Sequence, residues 1–109
     1  MPTAYITAPP AEAPEIARTL VEERLAACVN RVDCQSVYRW DGKIHDDDEV
    51  ILLAKTDPEL YEQLEERVQE LHPYDVPCIE RFDEHGVTPA FGAWRSRATR
   101  GDGDGARSS

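Results

Sequence analysis

Lysine is nearly missing from this chain. Only Lys43 and Lys55 carry an ammonium group, and the remaining basic residues are arginines. Against 22 acidic residues they leave a formal charge of -10 and a pI near 4.6. That shortage excludes the broad basic patches that neutralise phosphates, so nucleic acid is not an expected partner. Also missing is any apolar run near the ~20 residues that span a bilayer. No basic-then-apolar leader opens the sequence, so no membrane partner is expected and the expected location is the cytoplasm. Cysteine is scarce and odd in number: Cys28, Cys34 and Cys78 form no CxxC pair. This excludes a zinc ribbon or a dithiol redox motif, and in a cytoplasm all three are expected as reduced thiols. No GxSxG, Walker loop or clear Ser/His/Asp set is present. An acid-rich, lysine-poor composition is expected of a protein dissolved in concentrated salt, where close charges are screened; ordinary acidic solubility is the alternative.

What is present is organised around residues 19–30. Ala13, Ile16, Ala17, Leu20, Val21 and Leu25 recur at steps of three and four, while Glu12, Glu15, Arg18, Glu22 and Glu23 take the opposite side. This is an amphipathic helix, expected to run to about Ala26. After Ala27 the rhythm shifts toward period two with no glycine or proline between, so helix passes straight into strand. Small Ala26 and Ala27 let the two pack closely.

Tyr5–Ala8 reads as a first strand closed by Pro9-Pro10, and Pro14 fits the first turn of the helix. The second strand opens at Ala27 or Cys28, bends or bulges near Asp33-Cys34-Gln35, and resumes through Trp40. Asp41-Gly42 signals a type I′ hairpin turn. The return strand begins at Lys43-Ile44 and is interrupted by the charge run His45–Glu49, which needs water or counter-charges. Val50–Ala54 is continuously apolar and fits a central strand buried on both faces. Thr56 and Glu59 have capping-box spacing ahead of a helix striped by Leu60, Leu64, Val68 and Leu71. His72-Pro73 ends that helix. A last strand alternates through Val76, Cys78, Glu80 and Phe82, with Pro77 marking an edge or a beginning. Pro89–Arg97 forms a short helix docked through Phe91 and Trp94. Residues 1–97 make one domain, and 98–109 a disordered tail.

The order β-α-β-β-α-β, joined by right-handed crossovers, predicts an α+β fold. Its antiparallel sheet runs 4-1-3-2 with both helices on one face. The other face is then bare, although the 50–54 run expects cover. Tyr38, Trp40 and Ile44 add apolar surface to a hairpin that reaches past the domain. A homo-oligomer, with sheets face to face and arms crossing, resolves both points.

Four segments resemble the family of divalent-cation tolerance proteins known as CutA. They are Leu20–Asn30, Tyr38–Ile44, Glu49–Thr56 and His72–Pro77, and the likeness spans residues 3 to about 95. The resemblance implies a homotrimer of ferredoxin-like subunits with a role in tolerance of divalent metal ions, usually copper. It departs at Cys78, which stands where the family tends to carry an acidic residue, and it is weak between Asp83 and Pro89.

Three residues are metal candidates. Cys28 is a thiolate ligand suited to Cu(I) or Zn(II), or else a small buried hydrophobe. The resemblance includes it in a matched motif. His72 is an imidazole ligand at a subunit cleft, or else a helix C-cap. Cys78 is the chain-specific addition. In a 4-1-3-2 sheet Cys28 and Cys78 lie at opposite edges, so one metal can join them only between subunits. His45, Asp47 and Glu49 could share one strand face as a hard-ion site, or else are a solvated charge run. Tyr38, Trp40, Lys43, Glu49 and Tyr74, with Glu23, Arg24 and Asp75, are assigned to the fold and the subunit contacts.

No catalytic activity is expected. An acylphosphatase-like anion cradle after the first strand would need free N–H donors, but Pro9, Pro10 and Glu12 oppose phosphate. The alternative function is a trimeric module of the nitrogen-regulatory PII type. It would bind a nucleotide or small molecule at subunit clefts lined by Arg39, Trp40 and Tyr74.

Overall fold

The computed structural model describes residues 1–101. Its elements are β1 (Pro2–Ala8), α1 (Ala13–Glu22), β2 (Cys28–Trp40), β3 (Lys43–Lys55), a 3₁₀ turn (Pro58–Leu60), α2 (Tyr61–Leu71), β4 (Ile79–Asp83) and α3 (Pro89–Arg100). The four strands form one antiparallel sheet in the order β2-β3-β1-β4, which is 4-1-3-2 when read from the β4 edge. Period-two alternation sends Ala4, Ile6, Ala8, Val50, Leu52 and Ala54 to one face. There they meet Ile16 and Leu20 of α1 and Leu64 and Val68 of α2 in a closed core.

Among the described residues, cover on both faces does not occur. On β3, Val50, Leu52 and Ala54 are buried, but Ile51 and Leu53 between them are only half-buried. Their register partners Thr7 and Tyr5 are half-buried too. Both helices pack on the face of Leu52, so the apolar run is continuous while its cover is one-sided.

The hairpin dominates the shape. Asp41 (φ 55°) and Gly42 (φ 76°) make the expected tight turn. From it the register runs unbroken from Trp40↔Lys43 to Cys28↔Lys55. There is no bulge at Asp33–Gln35, and the charge run does not interrupt β3. Since β1 pairs with β3 only over Val50–Lys55, residues 34–48 project beyond the body, where polar side chains are solvated and need no irregularity. Two strands of 13 residues, at ~3.4 Å each, account for the long dimension of a molecule measuring 48 × 25 × 24 Å.

The helix-to-strand joint differs from expectation. α1 stops at Glu22, four residues short of Ala26, and Arg24 takes a left-handed conformation (φ 60°). The Arg24 N–H bonds to the Val21 carbonyl (3.1 Å) and the Leu25 N–H to that of Leu20 (2.9 Å). This is the Schellman pattern, with arginine in the place usually taken by glycine. The left-handed conformation costs an L-residue about 1–2 kcal/mol. Part of that is offset by the guanidinium, whose Nη1 donates to the Ala98 carbonyl (2.8 Å) at the end of α3.

Two further expectations are corrected. The capping box does not form: the buried Thr56 hydroxyl donates to the Leu25 carbonyl (2.6 Å), tying the α2 entrance to the joint. α3 runs through Arg100 to a left-handed Gly101, so residues 98–101 are not tail; the tail expected over 102–109 lies outside the described residues. On α3, Phe91 and Trp94 are half-buried with rings 5.7 Å apart. Its buried residues are Gly92, Arg95 and Thr99. Asp57 accepts from Thr99 Oγ1 (2.7 Å) and Ser96 Oγ (3.3 Å), and its carboxylate lies 4.0 Å from Arg95 Nε. Glu84 faces the same guanidinium at 3.9 Å and accepts from the Thr3 hydroxyl. A buried charge facing two carboxylates thus helps to fix the helix alongside the half-buried rings.

Candidate functional site

The hairpin register decides which side chains meet. Directly opposed residues share a face, so the face left bare by the helices carries Cys34, Ser36, Tyr38 and Trp40 of β2 against Glu49, Asp47, His45 and Lys43 of β3. His45, Asp47 and Glu49 thus share a face as expected, yet they do not converge. The Tyr38 hydroxyl donates to Asp47 Oδ2 (2.7 Å), and the Tyr38 ring stacks on His45 at 5.2 Å. Glu49 instead accepts from the Tyr74 hydroxyl (3.3 Å) and is buried.

Tyr74 is positioned by His72. At the C-cap of α2, His72 turns extended ahead of Pro73, and its ring crosses to β1. Nδ1 lies 3.2 Å from the Tyr74 N–H, a donor only, so Nδ1 accepts. The proton is then on Nε2, which donates to the Thr7 carbonyl (2.7 Å). Both ring nitrogens are engaged, so a metal could bind His72 only by displacing one of these bonds. In this subunit the imidazole is a strut between β1 and the 72–78 loop rather than an open ligand.

Hairpin arm and loop together enclose a cleft of about 540 Å³. Tyr38, Trp40 and Tyr74 supply aromatic walls; Glu49 and Asp75 supply carboxylates; among the described residues of this subunit no lysine or arginine lines it. The negative field acts on the phenols. The hydrogen bond to Asp47, with burial and nearby charges, raises the Tyr38 pKa to about 12. Burial first and Glu49 second raise that of Tyr74. The Cys78 thiol, also on the lining, is pushed up by burial and then by Glu80, so the thiolate form a metal requires is disfavoured there.

The three thiols are free and half-buried. Cys28 opens β2 in register with Lys55, whereas Cys78 precedes β4, its carbonyl accepting from the Thr7 N–H (3.4 Å). They lie on opposite edges of the sheet. Among the described residues no three His, Cys, Asp or Glu side chains gather to hold a metal ion, so Cys28, His72 and Cys78 do not form one site within this subunit.

Of the residues assigned to subunit contacts, Trp40 is 53% exposed and Tyr38 36%, whereas Glu49 is interior at 6%. Arm residues Val37 and Ile44, and Val76 in the loop, are 60–68% exposed. Sequence reasoning did not bring Ser36 and Asp75 into one cleft with Tyr38 and Glu49. The signal was available: once Asp41-Gly42 is a two-residue turn, counting outward pairs Tyr38 with His45 and Ser36 with Asp47. No comparable local signal pairs Asp57 with Arg95.

Comparison with known proteins returns one family. A family model described as CutA1 divalent ion tolerance protein matches residues 3–98. The chain is similar to the divalent-cation tolerance protein CutA of Pyrococcus horikoshii, 43% identical over 97 residues, covering 88% of this chain and 95% of the relative. A crystal structure of CutA1 from the same organism superposes with a TM-score of 0.86 at 40% identity, over 90% of this chain and 97% of that one. A structure from Nostoc sp. PCC 7120, described as a PII-like protein CutA in apo form, superposes with a TM-score of 0.76 at 38% identity, over 78% and 82%.

Proposed function

The chain belongs to the CutA1 divalent ion tolerance protein family. From that premise we propose that it serves tolerance of divalent metal ions, copper among them, as a cytoplasmic homotrimer with no catalytic activity of its own. The observation that carries the reading is the match over residues 3–98. Deleting the gene in its host should raise sensitivity to copper salts, and an unchanged growth limit would reject the role.

Physical reasons favour the assembly. The half-buried Tyr5, Thr7, Ile51 and Leu53 form a sheet face that no helix of this chain covers. The arm adds exposed Val37, Trp40 and Ile44. Apolar surface of this kind is normally covered by another chain.

Among the described residues of one subunit, no three metal-ligating side chains gather. A tetrahedral thiolate site needs sulfur at ~2.3 Å, and Cys28 and Cys78 occupy opposite edges of the sheet. The proposed ligands are therefore Cys28 of one subunit and Cys78 of another, with His72 joining only if it exchanges its bond to the Tyr74 N–H. Titration calorimetry with Zn(II), Cu(II) and Cu(I) on the reduced, assembled protein tests this. Cys28→Ser should abolish binding while assembly is kept; unchanged binding removes the thiol site.

The cleft favours a second reading, a PII-type module that binds a small molecule. Its volume and its mix of aromatic walls with few polar groups are those of ligand pockets.

A further inference from the structure

The charge and shape of the cleft select among small molecules. Trp40, Tyr38 and Tyr74 present three aromatic rings around a space of about 540 Å³, with the carboxylates of Glu49 and Asp75 on the same lining and no basic side chain there. Glu49 is the telling residue. It is buried, and among the described residues its carboxylate accepts one hydrogen bond, the long contact from the Tyr74 hydroxyl at 3.3 Å, so a buried carboxylate stands in the wall with little to balance it. A phosphate entering this space would meet two carboxylates and no cation. An ammonium centre bearing alkyl groups would meet ring faces, which attract cations, and a buried carboxylate whose field is weakly screened.

We propose that this cleft binds an organic ammonium ion, held by the faces of Trp40, Tyr38 and Tyr74 with Glu49 as counter-ion. The proposal rests on the second reading above and names its ligand class. It excludes the nucleotides that a PII-type comparison would suggest. The raised pKa of Tyr74, set by burial first and Glu49 second, is consistent with that carboxylate's field reaching the ring.

The test uses the full chain in its native assembly, freed of metal by a chelator. A Trp94→Phe variant leaves Trp40 as the only tryptophan. Its fluorescence is then titrated with choline, with 3,3-dimethylbutan-1-ol (the neutral carbon isostere of choline) and with AMP. The expected result is saturable binding of choline, binding of the isostere weaker by about tenfold or more, and none of AMP. Glu49→Gln keeps an acceptor for Tyr74 but removes the charge, and should weaken choline by about tenfold while leaving the isostere unchanged. Asp75→Asn is the milder companion variant should Glu49→Gln fail to fold, and it should shift choline in the same direction. Isostere binding equal to that of choline overturns the proposal and keeps the small-molecule reading, as does binding of AMP in place of choline. Absence of binding by all three overturns both.

Discussion

Asp57→Ala should destabilise the protein severely and do so through α3. Asp57 is 7% exposed and sits directly before the turn into α2. It accepts from Thr99 and Ser96 and faces a guanidinium that is 1% exposed. A hydrogen bond to a charged group contributes about 1.5–3 kcal/mol. The larger loss is Arg95, whose Nε and Nη2 have no hydrogen-bond partner among the described residues and whose second carboxylate, Glu84, is 3.9 Å away. Removing one member of a buried ion pair typically costs about 3–5 kcal/mol, because the other charge remains buried. Asp57→Ala should fall in that range. Asp57→Asn, which keeps an acceptor for Thr99, should cost clearly less. Denaturant unfolding followed by circular dichroism gives the totals. Hydrogen exchange should show the loss first in amides 89–100. A change of less than about 0.5 kcal/mol, the size of an ordinary surface substitution, would refute the claim that this buried network seats the helix.

Other consequences are as direct. Asp47→Asn should lower the Tyr38 phenol from about 12 toward the ordinary value near 10, read by ultraviolet titration. Because folding raises that pKa, the stabilising contribution of the neutral phenol is complete below pH 10 and fades as pH rises through about 12; no change on substitution would refute the hydrogen bond. Arg24→Gly and Arg24→Ala both lose the bond to Ala98, but only alanine keeps the left-handed strain, so glycine should be more stable by about 1 kcal/mol. Equal stabilities would deny that strain. With a formal charge of -10, rising KCl should raise the unfolding midpoint; a midpoint indifferent to salt from dilute buffer upward would reject the high-salt reading.

The parts of this molecule visible in the sequence are those set by short-range periodicity. The buried faces of α1 and α2, the extended His72 ahead of proline and the positive φ values at Asp41 and Gly42 all follow from spacing and residue type. What stayed hidden depends on distant partners. Arg24 adopts a conformation that local preference gives to glycine, with its side chain bonded 74 residues away. Thr56 has the spacing of a cap, yet its hydroxyl is drawn to Leu25 across the fold. Nothing local in the sequence signals that helix packing buries Asp57 and Arg95 together. The candidate site divides along the same line. Trp40 and Tyr74 are named for a ligand cleft, whereas Tyr38 and Glu49 are assigned to subunit contacts; the cleft that all four line stayed hidden, because its wall is the loop that His72 ties to Thr7. His72 reads as a ligand or else a helix C-cap; it stands at the C-cap, with both ring nitrogens hydrogen-bonded in this subunit.

The exposed arm and the uncovered sheet face give the account its central claim, that neighbouring copies complete this surface. Sedimentation equilibrium of the purified full chain measures that most directly. The prediction is a single species at about three times the 12.3 kDa mass of the chain, in dilute buffer and in concentrated KCl. A folded species at the mass of one chain under both conditions would contradict it.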